Sequence, residues 1–517
     1  MESALETGAS PKILSSEPIP HPINLLPKDI FILIPCFLTS EKGNRNPFPT
    51  NKPLIAMTHV CRSWRSVLLS TPSLWTQIDF STLRSKQAEG FLARSENQLL
   101  DIYQHVDMAD HIEPFLPVTL HNIYRLRWLK MVCYHEHLKD VLGQLTKPAP
   151  ELKHLEILND NRCREDVGFT VEEVELPGTI FGGQFPKLAT LSLSWLLTDL
   201  RDLNIPSLTR FIFTTEVDVS VQDLTSFFRR CPSLEFVEIH LPAIRESPIA
   251  PLSNRVCLAA LKELRLGYGT CTAGLINHLA LPSCTEVMLV GEFTGEEFNW
   301  YNKRAARIHP SSIDHLSVTS GITKAVAMPY SCILSGPNGN LRFRCSGVRG
   351  SFDAEFFTSF SPISVLDIRE LWVGQKVTDP FATGGSWNPT TAGIYSAFGA
   401  LTKVEDLTIV SCKPEPFFSA LATTMDDRVP LPRLRRLTVF FGRRESDVPA
   451  LIQCAKTRKE HSRPLGEVAV VFEELEADSV EGMELLREFV GESICRVGAA
   501  PKMFWMGEDY DDLPKWT

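Results

Sequence analysis

The densest group of metal-ligand residue types in the chain is Cys133-Tyr134-His135-Glu136-His137. Thiolate, imidazole and carboxylate groups are all zinc donors, but a structural zinc site needs four of them in a closed set. No second cluster lies nearby, and alternate histidines suit an extended strand better than a helical zinc site, so no metal is expected. Gly384-Gly385-Ser386 lies among Thr and Pro and reads as flexible backbone. The chain has neither a Gly-x-Ser-x-Gly nucleophile elbow nor a phosphate loop ending in Gly-Lys-Ser/Thr. Its thirteen cysteines run from Cys36 to Cys495 without one Cys-x-x-Cys pair, which predicts reduced thiols buried as small apolar groups. No cofactor and no catalysis are expected; the chemistry to look for is binding.

Composition narrows what could be bound. At 517 residues the chain exceeds one ordinary hydrophobic core, while 44% apolar and 22% charged residues are ordinary for a soluble folded protein. Fifty-two basic against sixty-two acidic residues give a net charge of −10, and no basic stripe carries interleaved aromatics, so nucleic acid is not expected as a partner. No apolar run approaches the roughly 20 residues of a membrane helix, so no membrane partner is expected either. Residues 1–20, rich in Ser, Thr, Pro and Glu, cannot bury enough apolar surface to order themselves. They lack the basic start and apolar centre of a secretory signal, which predicts an intracellular protein, cytoplasmic or nuclear.

Two helices are expected between Ile23 and Phe80. Pro27 suits a first helical position, Asp29 the first turn, and Leu26, Ile30, Leu33, Ile34 and Phe37 recur at helical spacing. Pro35 should end or kink this helix near Ile34. Ser40 to Pro47 should form a loop. A second helix is expected from about Pro53 to Ser70, with Leu54, Met57, Val60, Cys61, Trp64, Val67 and Leu68 as its stripe and Thr71-Pro72 as its stop. Two short helices cannot enclose this much apolar surface, so it needs a partner.

These residues resemble the F-box family. Leu26-Pro27-Lys28-Asp29-Ile30, His59-Val60-Cys61-Arg62-Ser63-Trp64 and Pro72-Ser73-Leu74-Trp75 match three pieces of its pattern in order. The resemblance implies docking onto the Skp-type adaptor of a cullin–RING ubiquitin ligase through Leu26, Pro27, Ile30, Ile34, Val60, Cys61 and Trp64. Pro35, where the family carries Phe, and the long insertion from Thr39 to Lys52 depart from that pattern.

A Leu-x-x-Leu-x-Leu unit recurs through the rest of the chain. Copies begin at Leu152, Leu188, Leu208, Leu234, Leu261, Cys284, Ile313, Ile368, Val404 and Leu434, with weaker ones at Ile123 and Leu465. Many intervals fall between 20 and 31 residues, the spacing of stacked units. The fourth and sixth places point to one face of a short strand. Ser220-Val221-Gln222-Asp223 could cap a helix carrying Leu224, Phe227 and Phe228. The pattern is similar to an irregular leucine-rich repeat. The expected fold class is therefore α/β, an N-terminal helical F-box followed by an irregular leucine-rich-repeat-like solenoid. The expected division is a disordered segment over 1–20, the F-box over 21–80, the repeat domain over 90–500 and an acidic tail over 501–517.

The function this implies is substrate recognition: the F-box holds the Skp-type adaptor and the repeat domain holds an unknown target protein. The alternative is a repeat scaffold with no ligase attached. The long intervals from Leu152 to Leu188 and from Ile368 to Val404 should form loops on a binding face. In the second, Phe381 and Trp387 are the expected target-contacting residues, because Gly, Thr and Pro around them leave the rings few partners.

Overall fold

The computed structural model describes residues 26–39, 51–80, 83, 85–106, 112–159, 174–215, 217, 219–241, 244–245, 255–267, 275–276, 278–292, 324–328, 331–346, 367–374, 390–411, 414–424, 429–441, 448–472 and 484–497. The chain divides into two compact units, 1–132 and 133–517. No helix among the described residues is long and apolar enough to cross a membrane.

The first unit opens with α1 (Lys28–Thr39), α2 (Lys52–Met57) and α3 (Arg62–Leu69). A 3-10 turn, Pro72–Trp75, leads into β1 (Gln77–Asp79), followed by α4 (Ser85–Arg94), β2 (Leu100–Val106), α5 (Ile112–His121) and β3 (Leu126–Cys133). β1 pairs in parallel with β2, Ile78 opposite Ile102, and β2 pairs with β3. Arg127 grips Asp101 with two hydrogen bonds of 2.8 and 2.6 Å. Trp75 ties the helices to these strands. It is 2% exposed, donates from Nε1 to Leu68 O at 2.9 Å and meets Phe91 edge-on at 4.8 Å. Arg125, also buried, satisfies loop carbonyls at Glu96 and Gln98.

The second unit begins with α6 (His135–Gln144) and β4 (His154–Asn159). Strands β5 (Thr190–Ser194), β6 (Arg210–Thr214), β7 (Phe236–His240), β8 (Glu263–Gly267) and β9 (Glu286–Glu292) add in turn, each parallel to the last. The pattern then breaks. β9 pairs not with β10 (Lys324–Met328) but with β12 (Gly339–Ser346), while β10, β11 (Ser331–Gly336) and β12 form an antiparallel meander. Parallel pairing resumes from β10 to β13 (Glu370–Gly374), then β14 (Asp406–Ser411), β15 (Arg436–Phe441), β16 (Glu467–Phe472) and β17 (Glu492–Val497).

Alternation along each strand builds the core. Leu155 and Ile157, Leu191 and Leu193, Phe211 and Phe213, Val237 and Ile239, and Leu264 and Leu266 are at most 2% exposed. So are Leu371 and Val373, Leu407 and Ile409, Leu437 and Val439, and Val468 and Val470. The links behind the strands differ. α7 (Val221–Arg230) joins β6 to β7, its N-cap Ser220 accepting from Asp223 N at 3.0 Å. α8 (Thr391–Ala400), α9 (Glu415–Ala422) and α10 (Val448–Glu460) pack side by side behind the last strands. β5 reaches β6 through turns around Leu200, Leu203 and Ile205. The fully buried Arg458 of α10 fastens such a turn, donating to Pro430 O at 2.9 Å and Leu431 O at 3.1 Å.

This architecture corrects the expected fold class. The N-terminal helices are not a helical F-box module, because they run through Trp75 into strands and share a mixed α/β unit with them. The second unit is not a leucine-rich-repeat-like solenoid. It is a mainly parallel sheet interrupted by antiparallel pairing, and among the described residues its links vary between helix, 3-10 turn and short bridge, with no repeated unit. The Leu-x-x-Leu-x-Leu pattern specifies a strand with one buried face; it leaves the returning segment unspecified, and here that segment varies. Two local expectations are corrected as well. α1 does not end near Ile34 but continues through Pro35 to Thr39, with Pro35 and Phe31 both buried on it. The helix expected over Pro53–Ser70 is two helices, broken at His59-Val60, with Cys61 capping the second.

On the face of the second unit's sheet opposite the apolar pairs, charge is organised across strands. Arg210 lies over the Phe236 ring at 3.5 Å, with Arg265 on it at 5.2 Å. Glu238 meets His240 Nε2 at 2.9 Å and Arg265 at 3.5 Å. Burial alone would raise the Glu238 carboxyl, but the His240 hydrogen bond and the cations of Arg265 and Arg210 hold it below the usual carboxylate range.

Candidate docking surface

The N-terminal helices present large apolar side chains to solvent. Leu26 is 38% exposed, Ile30 48%, Leu33 50% and Val60 59%. Exposure at four such residues on neighbouring segments is unlike the isolated apolar side chains of an ordinary surface. Local chemistry fixes their placement. Phe31 N bonds Pro27 O at 2.9 Å, starting α1 directly behind the proline, and Asp29 sits in its first turn, where the helix dipole favours an anion. The opposite side of α1 faces inward: Phe31 is 5% exposed and meets the Trp64 ring edge-on at 4.8 Å. α1 packs on α2, whose Leu54 and Met57 are buried, and α3 contributes the buried Leu68.

Cys61 has a positional role. Its extended backbone precedes α3, and its Sγ accepts from Trp64 N at 3.4 Å, so the cap holds the start of the helix that carries Trp64. Val60, in the break between α2 and α3, is thereby left projecting. Arg62 and Arg65 are exposed beside it, with Arg65 Nη2 3.4 Å from His59 Nδ1, and Lys28 is exposed on α1. The surface is thus an apolar ridge with a mainly basic rim, suited to a partner with an apolar groove bordered by carboxylates.

Of the residues expected to hold a partner, Leu26, Pro27, Ile30, Val60 and Cys61 are exposed, and Ile34 and Trp64 are half-buried. Trp64 is therefore split between the ridge and the packing of Phe31. Leu33 belongs to the ridge as fully as Ile30 but has no place in the matched motif; its helical spacing from Ile30 was the available signal. Phe381 and Trp387, expected to contact a target, lie outside the described residues, as do Gly384 to Ser386, residues 1–20 and the tail 501–517.

The Cys133 to His137 segment is not the strand its alternate histidines suggested. Cys133 ends β3, and His135 opens α6. Among the described residues no group of three or more His, Cys, Asp or Glu side chains could hold a metal ion. Burial pushes the thiols of Cys133, Cys284 and Cys454 up to about 12 and that of Cys231 up to about 11, so each stays protonated at neutral pH and is a poor nucleophile. Compared with models of protein families and with curated proteins, the sequence matches none.

Proposed function

We propose that this chain is the substrate-recognition adaptor of a cullin–RING ubiquitin ligase, with the ridge on α1 and at the α2–α3 break docking onto the Skp-type adaptor and the remainder of the chain binding a target protein. The observation that carries the reading is the ridge itself: Leu26, Ile30, Leu33 and Val60 stand 38–59% exposed while Phe31, Leu54, Met57 and Leu68 on the same helices are buried. Each large aliphatic side chain withdrawn from water contributes about 1.5–3 kcal/mol, so these four supply a substantial hydrophobic drive for association. The three sequence segments that resemble the F-box pattern add the identity of the partner.

The test is co-purification of the full chain with a Skp-type adaptor. Ile30→Asp and Val60→Asp place charges on the ridge and are expected to abolish capture while leaving the melting temperature within about 2 °C of wild type, as exposed sites allow. Trp64→Ala is a poorer probe because it also removes the Phe31 contact. Capture at wild-type strength by both charged variants would defeat the docking reading. Failure of the wild-type chain to capture the adaptor would leave the ridge to a partner outside the ligase.

A further inference from the structure

Asn338-Gly339 is the chain's single Asn-Gly step, and it stands at a turn of the antiparallel meander. β11 and β12 pair with Gly336 opposite Gly339, so Pro337 and Asn338 make a two-residue hairpin loop. Both loop residues are exposed. The ring of Pro337 fixes its φ at about −65°. The turns that suit a two-residue hairpin need positive φ at this first loop position, so the loop works against the twist of its strands.

The rung that closes this loop is weak for a second reason. Gly336 and Gly339 have no side chains to pack across the ladder, and glycine keeps the most backbone freedom. One rung further in, Ser335 stands opposite Asn340 and is 5% exposed, so the ladder is covered again at once. Local opening is therefore concentrated at the tip, and it frees the Gly339 N–H without unfolding the strands.

We propose that Asn338 is a site of spontaneous deamidation whose main product is an isoaspartyl linkage, the substrate class of an isoaspartate carboxyl methyltransferase. The Gly339 nitrogen, its proton passed to solvent base, attacks Asn338 Cγ. The new N–Cγ bond forms, the Cγ–Nδ2 bond breaks, and the amide nitrogen takes a proton from water and leaves as ammonia. One water molecule then opens the five-membered succinimide. Breaking the N–Cγ bond gives an ordinary aspartyl residue, whereas breaking the bond from that nitrogen to the main-chain carbonyl carbon leaves the chain running through Cγ. In sum one water enters and one ammonia leaves, with no change in oxidation state. Gly339 favours the attack because it has no Cβ to obstruct its own nitrogen. An unengaged side chain is not required, since a polar contact made by an exposed amide exchanges with water. The isoaspartyl form adds a main-chain carbon to the two-residue loop, so Gly336 can no longer stand opposite Gly339 and the β11–β12 pairing loosens. The site belongs to the second unit and does not depend on how the docking ridge is read.

The experiment ages the full folded chain at mildly alkaline pH and follows residue 338 by peptide mass mapping. Isoaspartate is read separately, as methyl label transferred from S-adenosylmethionine by a purified isoaspartate methyltransferase. A synthetic peptide spanning residues 335–341, aged in parallel, sets the rate of an unrestrained Asn-Gly step. The expected result is an amide-to-acid change that appears at residue 338 before any other asparagine, most of it accepting the label. Asn338→Gln alters an exposed turn residue and should remove the label from this segment. Gly339→Ala should slow the change about tenfold. In the aged wild-type chain, hydrogen exchange should show protection lost in β11 and β12 while β14 and β15 keep theirs. A folded chain that keeps its amide at residue 338 while the peptide loses it would overturn the proposal. So would a change that appears first at another asparagine, or one whose rate Gly339→Ala leaves unaltered.

Discussion

Ile30 and Leu33 on α1 are 48% and 50% exposed, whereas Leu264 and Leu266 on β8 are 0% and 2% exposed. The residue types are alike and both pairs sit in regular apolar patterns, one at helical spacing and one alternating. What differs is the supply of covering surface. β8 is flanked on both edges by strands of its own chain, whose apolar positions stand in register with Leu264 and Leu266. Among the described residues α1 packs chiefly on α2, with the Trp64 ring against Phe31, and these cover one side. An apolar periodicity therefore identifies a face that will be buried without saying whether this chain or another buries it.

Charge placed at matched positions breaks the comparison most forcefully. Leu264→Asp puts a carboxylate into a fully buried site and should cost at least about 4 kcal/mol, enough to unfold much of the second unit. Hydrogen exchange should show protection lost first across β7, β8 and β9; simultaneous loss throughout residues 133–497 would show that the unit fails as one body. Ile30→Asp, by contrast, should leave the unfolding midpoint in denaturant nearly unchanged. Equal destabilisation by the two substitutions would mean that α1 is packed far more tightly than its exposures indicate.

A smaller effect is expected at Gly267, where a Cβ would fall 2.0 Å from His240 Nδ1. Gly267→Ala must displace the imidazole from its place beside Glu238 and should destabilise the second unit by about 1–3 kcal/mol, read from chemical denaturation. Pairing it with His240→Ala sharpens the point, since the glycine substitution should lose most of its effect once the ring is gone.

The smallest effect is pH-dependent. Glu238 has a folded-state pKa below its unfolded value, so its stabilising contribution is present above the ordinary glutamate value of about 4.3 and is lost as pH falls through the depressed folded value. The stability difference between wild type and Glu238→Gln should therefore shrink as urea denaturation is carried from pH 6 towards pH 3. A difference that stays constant across this range would show that Glu238 contributes by shape and not by charge.

Much of the strand content could be read from the sequence. The alternation at Leu155 and Ile157, Leu191 and Leu193, or Leu407 and Ile409 has a period of two with polar residues between, and such a pattern has one stable use. The Ser220 cap was equally plain, since a hydroxyl three residues before the Asp223 amide is a local device. The fold as a whole was not readable, because pairing between strands is not local. Nothing around Lys324 or Ser331 announces that β9 will bypass β10 and β11 to reach β12. The helix break at Val60 was hidden because its apolar stripe continues in phase across Cys61, and only the cap reveals the interruption.

The antiparallel meander of β10, β11 and β12 has a consequence for how the chain reaches its final form. Parallel neighbours must close a crossover before their first mutual hydrogen bond, a slow step entropically. The turn at Pro337-Asn338 instead joins β11 and β12 directly, and hairpins of this kind form in about 1–10 μs. A lone hairpin is marginal, but three strands together hold better. The meander has two outer strands, and in the folded protein β12 receives β9 while β10 receives β13. The middle of the second unit is thus a starting template from which strand addition can proceed toward both chain ends at once.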